Sequence, residues 1–323
     1  MSRLGVLIAL GAVVILAAAC GGKDEVTLAL DWFPNSNHAG IFEAVKQGYF
    51  EEEGIKVKVY TPSDPATTLQ TVGAGKDDFG ISYQPDVLQA RSESVPVVSV
   101  AAIVQHPLNS VMALKSSGIE RPGQLKGKKV GYPGIASNKG MLETMLQKDG
   151  IGLADVELVD VSFDLVPALL SGAVDAVVGA YWTHESILIE LEGKPVNIMR
   201  MEEWGVPDFY ELVLVTNEDT ASKRGDLVRR FVKAVSRGFE AAIEDPQGAV
   251  TTLFAANPEV VQEALERKGV ELLKPLWTEG VPKFGWQDPD RWSSFGNWMK
   301  QRGLIRQEVS AASAFTNVFV AAQ

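Results

Sequence analysis

The sequence predicts an α/β protein made of two α/β units with mostly parallel sheets, and three observations predict it. Apolar runs of strand length alternate with helix-length segments from Val26 to about Asn217. One run, "IKVKVY" (Ile55 to Tyr60), keeps strict period two, with Ile55, Val57 and Val59 apolar and lysines between. The chain has 323 residues, 46% of them hydrophobic, which is enough for two cores. No low-complexity linker divides it, so the two units are expected to be tightly joined.

The first element is not part of the fold. Arg3 is followed by an apolar run from Leu4 to Ala19 that ends at Cys20. The run reads as a secretory signal with small residues before the cleavage point, so residues 1–20 are assigned as a signal peptide. A cysteine directly after Ala17-Ala18-Ala19 resembles a bacterial lipoprotein signal, in which the cysteine is lipidated and becomes the mature N-terminus. The leucine such signals place three before the cysteine sits one position early here, at Leu16. A single transmembrane anchor is the alternative, but the run is short for a span. Cys20 is the only cysteine, so the exported part has no disulfide and no thiol chemistry.

The strands follow in order. Val26 to Leu30 is the first apolar run, and Ile41, Phe42, Ala44 and Val45 have helical spacing, with Gly48 as the stop. After "IKVKVY" come "DFGIS" (Asp78 to Ser82) and "VPVVSVAAIV" (Val95 to Val104). A second series contains "KKVGY", "VELVDV", "AVDAVVGAY" and "VNIMRM", each separated by a helix-length segment. From Asp219 onward the pattern is mainly helical.

Composition excludes several roles. The net charge of −11 argues against nucleic acid as a partner. Three His and one Cys have no zinc spacing, and there is no EF-hand loop, so no metal is expected. No GxSxG, HExxH or Ser/His/Asp layout is readable. "GYPGIASNKG" (Gly131 to Gly140) is a Gly-rich turn into a helix that could hold an anion, without being a Walker A or Rossmann fingerprint.

The candidate site residues gather at strand ends, because open α/β sheets bind ligands beyond the carboxyl ends of their strands. The first unit offers Asp31, Trp32, Asn35, Asn37 and His38, then Ser82, Tyr83, Gln84 and Asp86, then Gln105 and His106. The second offers Tyr132, Ser137 and Asn138, then Tyr181, Trp182, His184 and Glu185, with Tyr210 and Glu211 further on. Aromatic faces with amide and carboxylate partners suit a flat, polar heteroaromatic ligand. Core packing is the competing role for any single Trp or Tyr. "GKDDFGISYQPD" and "GAVDAVVGAYWTHE" echo each other, each running Gly-x-x-Asp, a short strand and then a tyrosine. Either the two units repeat one βα turn or the likeness is coincidence.

"LDWFPNSNHAGIFEAVKQGYFEEEGIKV", "AGKDDFGISYQPDVLQARSESVPVVSVAAIVQHP" and "SSGIERPGQLKGKKVGYPG" resemble the thiamine-pyrimidine precursor-binding proteins of ABC importers. The resemblance runs from about Val26 to Asn217. It implies the type II periplasmic-binding-protein fold, with two lobes, two crossing segments and a ligand clamped between them. One lobe would then comprise residues 21–107 plus 216–323 and the other 108–215. It further implies an extracytoplasmic protein, anchored to the cell membrane through Cys20, that hands a hydroxymethyl- or formylaminomethyl-pyrimidine to a permease with its ATPase subunits. No cofactor is expected. Riboflavin-binding importer subunits are a related alternative, since flavins are also flat nitrogen heterocycles. The yeast-type pyrimidine synthase resembles the chain as well, but carries a pyridoxal-phosphate lysine, a sacrificial histidine and a cysteine-rich segment. At those places stand Ser82, Asp86 and "DFYELVL", which do not support that chemistry.

Overall fold

The computed structural model describes residues 23–321, so the signal segment and Cys20 lie outside the described residues. The first sheet holds β1 (Asp24–Ala29), β2 (Ile55–Tyr60), β3 (Phe79–Ser82), β4 (Val97–Val104) and β10 (Leu212–Asn217). Its order is β2-β1-β3-β10-β4. The second holds β5 (Asn109–Leu114), β6 (Lys129–Tyr132), β7 (Glu157–Asp160), β8 (Ala176–Tyr181) and β9 (Val196–Arg200), in the order β7-β6-β8-β5-β9.

β1 runs parallel to β2 and β3, and β6 parallel to β7 and β8. Each sheet also receives an antiparallel strand directly after a crossing between the lobes. β5 follows residues 105–108 and pairs antiparallel with β8 and β9. β10 follows residues 201–211 and pairs antiparallel with β3 and β4. The chain is therefore back in the first sheet by Leu212, so the expected boundary at 216 falls inside a strand. Neither β5 nor β10 stands out as a strand in the sequence.

The C-terminal helices complete the first lobe. Gly225–Glu244 packs on Ala39–Lys46, and glycines let the two backbones meet. A Cβ on Gly238 would stand 2.1 Å from the Gly40 carbonyl oxygen. Val45, expected on the apolar face of Ala39–Lys46, is exposed, while Gly48 ends that turn with φ 74°. β4 is an edge strand, yet all eight of its residues are buried. Its edge is covered by isolated bridges from Ser99 to Phe315 and from Ala102 to Gly285, which removes an exposed template for strand pairing.

Apolar packing spans the two lobes. Val87, Val97 and Ala102 of the first lobe share one cluster with Val111, Val130 and Met141 of the second, bridged by Trp292, Phe295 and Met299. The sheet ends of both lobes thus face one another across a cleft whose floor is the two crossings. Among the described residues no helix is long and apolar enough to cross a membrane.

Candidate functional site

The cleft is lined from both lobes and one crossing. The first lobe supplies Asp31, Trp32, Asn35 and Tyr83, just past β1 and β3. Leu30 donates its N–H to Tyr60 at 2.9 Å, which keeps the strand in register to the point where the loop leaves. Asn35 caps the short helical turn Ser36–His38, its Oδ1 accepting from the Asn37 N–H at 2.9 Å and the Asn37 amide at 2.8 Å. The Asn35 Nδ2 donates to the Phe33 carbonyl at 3.0 Å. The Asn35 amide, expected to meet a ligand, is therefore committed to shaping its own loop.

His38 orients the acidic end of this wall. Its Nδ1 accepts the Asn35 N–H at 3.2 Å, so in the neutral ring Nε2 carries the proton and donates to Asp31 Oδ1 at 2.8 Å. Tyr83 donates its hydroxyl to Asp31 Oδ2 at 3.1 Å. Burial, then the Asp31 carboxylate, hold the Tyr83 phenol well above its ordinary range. Asp31 is thus fixed by two side chains behind and beside it.

The second lobe supplies Asn109, Pro133, Ile135, Ser137, Asn138, Met141, Gly179, Tyr181 and Glu185. Asn109 donates to Asn138 Oδ1 at 2.8 Å and accepts the Gly179 N–H at 3.0 Å. Gly179 has φ 98°, and a Cβ there would stand 2.9 Å from both Asn138 Nδ2 and Pro133. Only glycine gives β8 this bend beside the ligand space. Glu185 Oε2 accepts the Tyr181 N–H at 2.8 Å, and its Oε1 pairs with His184 Nδ1 at 2.9 Å.

Phe209 and Glu211 come from the second crossing. Burial pushes the Glu211 carboxyl up to about 7, against the pull of hydrogen bonds from Asn109, Leu108 and Tyr181. Burial, then Glu211, raise the Tyr181 phenol well above its usual range. Three carboxyl groups, Asp31, Glu185 and Glu211, therefore face a space bordered by Trp32, Tyr83, Tyr181 and Phe209, and no Lys or Arg lines it.

Several expected site residues stand elsewhere. Asn37 and His38 are buried behind the first wall, holding Asn35 and Asp31. Gln84 is fully buried, and its Oε1 accepts the Tyr210 N–H at 2.8 Å, pinning the second crossing. Tyr210 accepts the Asp288 N–H on its hydroxyl at 2.6 Å and packs on Trp292. Gln105 reaches the Trp286 carbonyl at 3.4 Å. Trp182 donates Nε1 to the Pro107 carbonyl at 3.1 Å, with the Arg200 guanidinium 3.9 Å from its ring. Tyr132 is buried in the shared apolar cluster, with the Lys139 ammonium 4.7 Å from its ring. These large or forked side chains are consumed by the joints around the cleft, since a buried polar group needs a partner.

Asp86 has a third position. It spans from the first lobe to the helix Ala136–Lys148 of the second, accepting the Ser137 hydroxyl at 2.5 Å and N–H at 3.4 Å. By its sequence the Gly-rich turn before that helix could hold an anion. The anion at this helix start is the protein's own Asp86, and burial raises its carboxyl to about 6 despite those bonds. His106 and His184 also leave the cleft: His106 pairs with Asp208 at 2.9 Å, and His184 bridges Glu185 and Glu266.

Sequence reasoning missed Asn109, Pro133, Ile135, Met141, Gly179 and Phe209. Asn109 borders the first crossing and Phe209 lies within the second, so the crossings themselves are the signal that points to them. Ile135 and Met141 carry no polar signal at all. Among the described residues, no group of three or more His, Cys, Asp and Glu is placed to hold a metal ion.

Residues 35–249 match the family model described as NMT1/THI5 like. The chain is 37% identical to the formylaminopyrimidine-binding protein of Halalkalibacterium halodurans, over 91% of this chain and 90% of that one. It is 27% identical to the 4-amino-5-hydroxymethyl-2-methylpyrimidine phosphate synthase of Legionella pneumophila, over 92% and 93% of the two chains. Among solved structures it resembles the alkanesulfonate-binding protein of Xanthomonas axonopodis pv. citri, with TM-score 0.71 and 16% identity, covering 91% of this chain and 98% of that one. The two-lobed architecture is the type II periplasmic-binding-protein fold.

Proposed function

The chain belongs to the NMT1/THI5-like family, and we propose that it is the extracytoplasmic solute-binding subunit of an ABC importer. Its ligand is a thiamine pyrimidine precursor of the formylaminopyrimidine or hydroxymethylpyrimidine type. The observation that carries this reading is the pairing of three carboxyl groups with four aromatic rings in a cleft that no cation lines. An aminopyrimidine offers exocyclic N–H donors, basic ring nitrogens and two π-faces. Asp31 and Glu185 accept N–H bonds, and Glu211, poised near neutral, can share a proton with a ring nitrogen. Trp32, Tyr83 and Tyr181 offer stacking faces.

The same cleft argues against a sulfonate, although the fold neighbour binds one. No Lys or Arg lines the cleft to pair with an anion, which would meet the Asp31 carboxylate instead, and that desolvated like-charge contact is unfavourable. It also argues against synthase chemistry of the pyridoxal-phosphate type. No lysine lines the cleft, and Ser82 and Asp86 stand where the lysine and donor histidine would be. Closure around the ligand supplies the signal that a permease reads, because groups from both lobes are satisfied together only when the cleft is shut. Lipidation at Cys20 would hold the protein at the membrane surface.

The test is calorimetric titration with formylaminopyrimidine, hydroxymethylpyrimidine, riboflavin and an alkanesulfonate. The reading expects the pyrimidines to bind far more tightly than the other two. Preferred binding of riboflavin, or a yellow protein on purification, would transfer the assignment to the flavin importers.

A further inference from the structure

The loop after β7 carries Phe163, and we infer that Phe163 is a positioning residue for ligand retention, closing the mouth of the cleft from the second lobe. The inference rests on the reading above, in which Trp32 faces the ligand. The Phe163 ring centroid lies 4.6 Å from that of Trp32, edge to face at 63°. It also lies 4.6 Å from Phe33, tilted at 44°. Both partners belong to the first lobe, and Trp32 packs against the apolar core of the second.

Phe163 does not line the ligand space. It lines a neighbouring recess that shares Trp32, Asn35 and Glu185 with the main cleft. Those three residues form a common wall, and Phe163 braces it from the outer side. Phe33 is 42% exposed, so its contact with Phe163 lies at the surface. The loop backbone is shaped to present the ring. Ser162 has φ 48°, one of two non-glycine residues with positive φ among the described residues, and donates its N–H to Asp160 Oδ1 at 3.0 Å. A serine in the left-handed region is held there against its own preference, a state that persists where the surroundings require it.

Opening the cleft must separate Phe163 from both rings, whereas entry of ligand into an already open cleft does not. Loss of the ring therefore acts on escape and leaves capture almost unchanged. Stopped-flow binding of formylaminopyrimidine to the wild type, Phe163→Leu and Phe163→Ala tests this. Phe163→Ala is expected to release the ligand about tenfold faster, the scale of a lost aromatic contact, with association within about twofold of wild type. Phe163→Leu should fall between them. Equal dissociation rates in all three overturn the inference, and so does a loss confined to association.

A wild type that does not bind formylaminopyrimidine defeats the ligand assignment instead, and the gate is then read without ligand. Acrylamide quenching of Trp32 is obtained as the difference between proteins with and without Trp32→Phe, in the Phe163 and Phe163→Ala backgrounds. A higher quenching constant for Trp32 in Phe163→Ala supports the gate. Unchanged quenching shows that Phe163 does not cover Trp32 and ends the proposal.

Discussion

Glu211 Oε2 accepts the backbone N–H of Leu108 at 2.6 Å, and the same oxygen accepts that of Asn109 at 2.9 Å. One carboxyl group thereby ties the second crossing to the first at the floor of the cleft. The joint is also part of the cleft wall, since Glu211 lines the cleft. Any rotation of the lobes about the crossings turns around this pair.

Glu211→Gln is expected to keep the joint and remove its pH dependence. A glutamine carbonyl can accept both N–H groups. In the wild type the folded-state carboxyl is raised by burial from 4.5 to about 7, so the folded state binds the proton more tightly than the unfolded one. Its contribution to stability falls as pH rises from about 4.5 to about 7. Urea unfolding across pH 5 to 8 should show the variant gaining on the wild type by up to about 3 kcal/mol. A stability difference that is flat in pH would show that Glu211 is already ionised throughout.

Ser137→Ala tests the contact between the lobes. It removes the hydroxyl that Asp86 accepts at 2.5 Å and leaves only an N–H at 3.4 Å. A buried carboxylate that loses its best donor should lower stability by about 1–3 kcal/mol near neutral pH. The loss should shrink below about pH 6, where Asp86 takes up its proton. Chemical denaturation at two pH values is sufficient, and an equal loss at both would assign the effect to packing.

Trp32→Ala should weaken binding of formylaminopyrimidine by about 1–3 kcal/mol, the scale of a lost stack on a heterocycle. Trp32 is only half-buried, so stability should fall by less than the roughly 3–5 kcal/mol of a core tryptophan. Unchanged affinity with a large fall in the unfolding midpoint would place Trp32 in the core instead.

The strand that could be read most fully from sequence is the one with a period. Ile55–Tyr60 is a strand from its first residue to its last, because alternation marks a half-buried strand at both ends. The antiparallel placement of β5 and β10 was hidden for a tertiary reason. "NSVMAL" and "LVLVTN" are buried on both faces, and a short apolar run without alternation carries no sign of its sheet or direction. The site followed the same division. Trp32, Tyr83, Tyr181 and Glu185 come from strand ends, where the fold class alone places a cleft. Gln84, Gln105 and Tyr210 have the same chemistry but lie at joints, and only the three-dimensional partners distinguish a joint from a wall.

His184 supports the last prediction, because it is a buried cation between two carboxylates. Its Nδ1 pairs with Glu185 at 2.9 Å and its Nε2 with Glu266 at 3.1 Å, and Glu266 also accepts the Ser36 N–H at 2.6 Å. Burial alone would lower the His184 pKa, but Glu185 and Glu266 outweigh it and raise it well above 6.5. Burial would raise Glu266, but His184 and the Ser36 N–H outweigh it and hold the carboxyl below 4.5. The histidine contribution is complete below its unfolded pKa of about 6.5 and is lost as pH rises through the raised folded value. The glutamate contribution is present above about 4.5 and is lost as pH falls through the depressed folded value. The wild type should therefore draw most from this triad between about pH 4.5 and a point above 6.5. His184→Gln leaves two buried carboxylates without a cation and should cost about 3–5 kcal/mol at pH 7.5. Glu185 lines the cleft, so the same variant should also bind formylaminopyrimidine more weakly at pH 7.5. Urea midpoints at pH 4.5, 6 and 7.5 decide it: a variant as stable as the wild type at pH 7.5 would mean that the ring carries no charge there.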